Sequence, residues 1–111
     1  MSNEITKKFR KRVAEVTKQE LSNPEQWFYM SFADEQFRGV VIMKGHGVAD
    51  CLSRCHRMQI NPGGEVMCVP MTGEMVSQVA EADRLRLLSK QEVQRIWPDA
   101  KSVREHEAEN E

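Results

Sequence analysis

The residues with the most chemical potential lie between positions 44 and 57, in the run KGHGVADCLSRCHR. Gly45, His46 and Gly47 stand where an apolar, strand-like segment gives way to a helical one. Glycine lets a ligand approach the backbone, and the first N–H groups of a helix point outward with partial positive charge. Such a turn suits an anionic group, a phosphate or a carboxylate. Lys44, Arg54 and Arg57 bring cationic side chains. His46, between two glycines, is a candidate ligand contact or acid/base group. Gly45, His46, Gly47, Lys44, Arg54 and Arg57 are therefore the expected ligand-binding residues. The pattern G-x-G-x-x-D departs from a dinucleotide fingerprint, which has a small residue where Asp50 stands and more βαβ units after it. The plain alternative is that the glycines only make a tight strand-to-helix turn.

Cys51 and Cys55 sit one helical turn apart and could face one zinc ion. A tetrahedral site needs two more ligands, no paired knuckle follows, and His56 points about 100° away from Cys55 on a helix. Both cysteines fall on an apolar stripe, where Cys acts as a small hydrophobe. The expectation is that Cys51, Cys55 and Cys68 are structural and reduced, with no metal and no cofactor. No pattern supplies a base and an orienting group for a nucleophile, and no paired carboxylates stand out. Catalytic residues are not assigned, and an enzyme is the less favoured class.

The elements that must position these residues read as follows. Ile5, Phe9, Val13 and Val16 recur at helical spacing, with Lys7, Lys8, Arg10, Lys11 and Arg12 between them, which predicts an amphipathic helix over 4–20. Its basic cluster could touch phosphates, but the favoured reading is the solvated face of a helix. Ser22-Asn23-Pro24 ends it. Residues 27–33, WFYMSFA, predict a strand with Trp27, Tyr29 and Ala33 on one face and Phe28, Met30 and Phe32 on the other. Asp34-Glu35-Gln36 predicts a hairpin loop, and 37–44 the second strand. A helix over 47–59 carries Val48, Cys51, Leu52, Cys55 and Met58 on one stripe, with Asp50, Arg54 and Arg57 opposite. Asp50 and Arg54, at i,i+4, suit a surface ion pair of roughly 0.3–0.5 kcal/mol. Asn61-Pro62-Gly63-Gly64 stops that helix, and Glu65–Pro70 is a third strand. Strand, helix, strand with short joints predicts a βαβ unit with parallel strands.

Residues 72–83 read as a short helix or a loop, and Leu85, Leu87 and Leu88 as a short strand or packing segment. Ser89-Lys90-Gln91-Glu92 is a capping-box pattern, so a helix begins near Lys90 and Pro98 ends it. Residues 101–111 alternate glutamates with almost nothing apolar and predict a disordered tail. The expected fold class is α+β: one domain over 1–100, with a helical arm at 1–22, a three- or four-stranded mixed sheet, a central βαβ crossover and helices at both ends. A first strand apolar on both faces needs cover on both, and the expectation is a homo-oligomer that supplies it.

Composition narrows the field. With 111 residues, 40% hydrophobic and 30% charged, the chain can bury one modest core. A formal net charge of −1 provides no global basic field for nucleic acid. No apolar run reaches the roughly 18–20 residues that span a bilayer. A polar N-terminal stretch without a secretory pattern and an odd number of cysteines point to a reducing cytoplasm.

The run from Ser31-Phe32-Ala33-Asp34 through Phe37-x-Gly39-Val40 and Gly47 to Asn61-Pro62-Gly63-Gly64-Glu65-Val66 resembles a family of small proteins of bacteriophages and prophages. The resemblance covers about residues 27–70 and implies phage origin and expression in the host cytoplasm. It assigns no catalytic residues. By analogy of role, small phage proteins that capture nucleotide immune signals suggest a non-enzymatic counter-defence protein that binds a small anionic ligand such as a nucleotide. The alternative is an interaction module that inhibits or adapts a host protein.

Overall fold

The computed structural model describes residues 18–98. Residues 18–20 are helical, and the rest of the expected 4–20 helix and the 101–111 tail lie outside the described residues. Strands β1 (Gln26–Ala33) and β2 (Phe37–Gly45) form an antiparallel hairpin. Its loop is built by one side chain: the Asp34 carboxylate accepts the Gln36 N–H at 2.9 Å and holds the Arg38 guanidinium at 2.6 Å. Phe32 faces Gly39 but Ala33 faces Phe37, so Arg38 is an extra residue in β2, a bulge. Gly39 takes φ +136°, and a Cβ there would lie 2.6 Å from Leu87 Cδ1.

Helix α1 (Val48–Arg57) follows β2 and leads to β3 (Glu65–Pro70). A short helix α2 (Gly73–Ser77), a 3₁₀ turn (Glu81–Asp83), β4 (Leu87–Leu88) and helix α3 (Lys90–Ile96) complete the described chain. The sheet has four strands in the order β3-β1-β2-β4, and every neighbouring pair is antiparallel.

This corrects the mixed sheet and the parallel βαβ crossover expected from the sequence. β3 pairs with β1, so β1 lies between the two strands that α1 connects. The physical reason lies in β1. A strand apolar on both faces is best buried in the middle of a sheet. The hairpin fills one side of β1 with β2, and β3 takes the other side.

Each face of the sheet has its own core. On one side Phe28, Met30, Phe32, Val41 and Met43 pack with Cys51 and Cys55 of α1. On the other, Val40, Ile42, Met71, Val79 and Leu88 form a second cluster, with Tyr29 and Trp97 against it. Those two rings meet edge to face at 5.7 Å, and Trp97 Nε1 donates to Gln78 Oε1 at 2.7 Å. Residues 71–97 thus cover the second face within one chain, so the need for cover supplies no reason for an oligomer.

Candidate functional site

The β2–α1 junction is where the sequence places its ligand site. The Gly47 cap of α1 has φ 169° and ψ −175°, extended backbone, and no side chain to offer the helix. The first N–H groups of a helix have no partner within it. Here the partner comes from a remote residue. Glu20 Oε1 accepts the Ala49 N–H at 3.0 Å, and Glu20 Oε2 accepts the Asp50 N–H at 2.9 Å. A Cβ on Gly47 would lie 2.4 Å from the Glu20 carboxyl carbon, so any larger residue there would push the Glu20 carboxylate aside. The anion at this helix end is the chain's own Glu20 carboxylate.

Asp50 closes the turn from the other side. Its Oδ2 accepts the His46 N–H at 2.8 Å and lies 3.3 Å from Arg54 Nη2. The i,i+4 pair forms as expected, but not as a surface pair. Asp50 is only 4% exposed, because reaching back to the His46 N–H carries the carboxylate under the turn. The apolar stripe also stops short of its predicted ends, for Val48 and Met58 are exposed. A Cβ on Gly45 would sit 2.7 Å from Cys51 Sγ and 3.0 Å from Asp50 Oδ2, so this glycine serves close packing.

The cations are also engaged. His46 Nδ1 lies 2.8 Å from the Asn23 carbonyl, which can only accept, so that nitrogen carries a proton. His46 Nε2 is 3.7 Å from Glu25 Oε2. Arg54 donates to the Lys44 carbonyl at 2.8 Å and to Glu25 Oε2 at 3.1 Å, and Lys44 Nζ is 3.8 Å from Glu25 Oε1. Lys44, Gly45, His46, Gly47 and Arg54 therefore do come together, but around Glu20, Glu25 and Asp50. Arg57 does not join them. It is exposed in the last turn of α1, roughly 15 Å along the helix from Gly47 at 1.5 Å per residue. Among the described residues its side chain makes no hydrogen bond or ion pair.

Sequence reasoning missed Asn23, Glu20 and Glu25. No spacing rule ties position 20 to position 49. The available signal was negative: a helix that opens on glycine has N–H groups that some distant acceptor must satisfy.

The thiols are unpaired, with Cys51 and Cys55 buried. Burial pushes Cys51 up to about 12 and Cys55 and Cys68 up to about 11. They are neutral thiols at pH 7 and poor nucleophiles. Among the described residues no group of three or more His, Cys, Asp or Glu could hold a metal ion.

A second charged cluster ties down the C-terminal segment. Arg86 bridges Asp83 and Glu92, and Arg95 reaches Asp83 at 3.1 Å. Arg84 donates to the Val76 and Val79 carbonyls at 3.0 and 2.8 Å and sits 5.1 Å from the Trp27 ring, and Lys44 Nζ lies 5.8 Å from the same ring.

The fold defines a small α+β protein built on a four-stranded antiparallel sheet, and no described helix is long and apolar enough to cross a membrane. Comparisons with protein-family models, with curated proteins and with solved structures return no match.

Proposed function

We propose that this chain is a non-enzymatic interaction module that docks a polypeptide by strand addition along the outer edge of β3. The observation that carries this reading is the open edge itself. Among the described residues β3 pairs only with β1, over six residues from Glu65 to Pro70. Natural sheets blunt such edges with charge, bulges or very short strands. β3 has one charged residue, at its start, and an exposed Val69. The opposite edge differs: β4 is two residues long, and β2 beside it carries the bulge.

The partner is a host protein or a further copy of the chain, and the resemblance to phage proteins supplies the setting, a bacterial cytoplasm. The test is a titration with short β-prone peptides, the chain's own 65–70 segment among them, followed by amide NMR. New protection confined to Val66 and Cys68 supports strand addition. Changes centred on residues 44–50, or no change in a chain that stays monomeric, would refute it.

Capture of a small anionic ligand is the second reading. The observation in its favour is that the α1 N-terminus already holds a carboxylate, with Lys44, His46 and Arg54 close by. For an external phosphate to enter, Glu20 must leave. A thermal-shift panel of phosphate and nucleotides on the native chain and on Glu20→Ala tests it. A ligand at 100 times its Kd stabilises by about 2.7 kcal/mol. No shift in either protein removes this reading.

A further inference from the structure

We infer that the strand added to β3 is β3 of a second copy, in an antiparallel pairing with Met67 on the two-fold axis; this rests on the strand-addition reading above. The direction of the free backbone groups follows from one bond. The Met71 N–H donates to the Trp27 carbonyl at 2.9 Å, continuing the register in which Phe28 faces Pro70 and Tyr29 faces Val69. In an antiparallel pair, hydrogen-bonded positions alternate with non-bonded ones. Tyr29/Val69, Ser31/Met67 and Ala33/Glu65 are therefore the bonded pairs. Val66, Cys68 and Pro70 turn their backbone groups outward, away from β1.

That edge is self-complementary with Met67 on the axis. Val66 then faces Cys68 of the second copy, and each pair closes reciprocally, N–H to C=O in both directions. With Cys68 on the axis instead, the Val66 carbonyl faces a proline, which has no N–H. Pro70 thus disfavours the alternative and takes no part in the favoured pairing.

Side chains agree with the same register. Val66 and Cys68 lie on the α1 face beside the first core, so the facing residues across the axis are apolar there. On the other face Met67 meets Met67 and Glu65 meets Val69. The one ionisable carboxyl of the strand never opposes its own copy, so no like charges meet. An edge that avoids self-pairing would carry a central lysine, a central proline or a bulge; β3 has none of these, and its proline stands at its end.

Light scattering of the full chain at micromolar concentration, with amide exchange at Val66 and Cys68, tests the inference. The expected result is a mass twice that of the monomer, and exchange at those two amides that slows at least tenfold as concentration rises. Val66→Pro removes an outward donor without touching the β1–β3 bonds and should return the monomer mass. In case that variant fails to fold, Met67→Cys on a Cys68→Ala background supplies an independent readout, because the axis brings the two introduced thiols together. Mild oxidation should then give a disulfide-linked dimer. A monomer that still binds β-prone peptides at Val66 and Cys68 would overturn the inference and leave strand addition standing. A monomer that binds none would remove both. A dimer with unprotected Val66 and Cys68 and no Met67→Cys cross-link places the interface elsewhere and also overturns it.

Discussion

Helices α1 and α3 solve the same problem at their N-termini in different ways. Each starts with N–H groups that need an acceptor, and in each a glutamate takes part. In α3 the solution is local. Ser89 accepts the Glu92 N–H at 3.2 Å, and Glu92 reaches back to the Ser89 N–H at 3.1 Å. In α1 the cap residue is glycine, and the acceptor is Glu20, 29 and 30 residues away in sequence from the N–H groups it meets. A local cap secures one helix. A remote cap also fastens the segment that carries it, here the stretch before β1, onto the β2–α1 junction. The same difference explains why an anion site is an attractive inference from the sequence at Gly47 and never at Ser89.

The largest effect should come from crowding the β2–α1 turn next to the remote cap. Gly45→Val places a side chain against Cys51 Sγ and the Asp50 carboxylate, and overpacking of this kind costs about 1–3 kcal/mol. Chemical denaturation measures it. A change under about 0.5 kcal/mol would show that the turn yields easily.

Glu20→Ala comes next. It leaves the Ala49 and Asp50 N–H groups without their acceptor, and loss of a helix cap costs about 0.5–2 kcal/mol. Amide exchange at Ala49 and Asp50 should accelerate while exchange in α3 is unchanged. Equal acceleration in both helices would mean that the two caps are not independent.

Ser89→Ala should cost about 1 kcal/mol, with faster exchange confined to the first turn of α3. A spread of the effect to α1 would erase the contrast between local and remote capping.

The smallest effect is titration. Arg86, with the Ser89 N–H, holds the Glu92 carboxyl down at about 2, against an ordinary 4.5. A depressed folded pKa means that the stabilisation is present above pH 4.5 and is lost as pH falls from there toward 2. The α3 amides should loosen in that window, and Glu92→Gln should abolish the step. The buried thiols work in the opposite sense. Their folded pKa values are raised, so their contribution is intact below pH 9 and is lost as pH climbs toward 11 and 12. A denaturation midpoint constant from pH 8 to 11 would contradict this.

Much of the local structure is legible from residue order. The Asp34–Gln36 loop, the span of β3, the Asp50–Arg54 pair and the capping box at Ser89 form as their spacing predicts, because each depends on neighbours within four residues. The helix Gly73–Ser77 resolves a stretch that reads equally as helix or loop, with Thr72 Oγ1 capping it at 3.2 Å. What reads wrongly are the quantities that depend on distant partners. Asp50 looks like a surface residue on a helical wheel and is buried, since the wheel contains no His46 N–H.

Sequence alone determined the two-faced β1, the apolar stripe through Cys51 and Cys55, the turns and the α3 cap, because propensity, periodicity and capping act over a few residues. Tertiary structure decided that β3 joins β1 rather than β2, that residues 71–97 close the second face, and that Glu20 fills the helix end reserved for an anion. Those outcomes turn on which long-range partner satisfies a strand edge, a sheet face or an orphan N–H, and a linear pattern states the need without naming the partner.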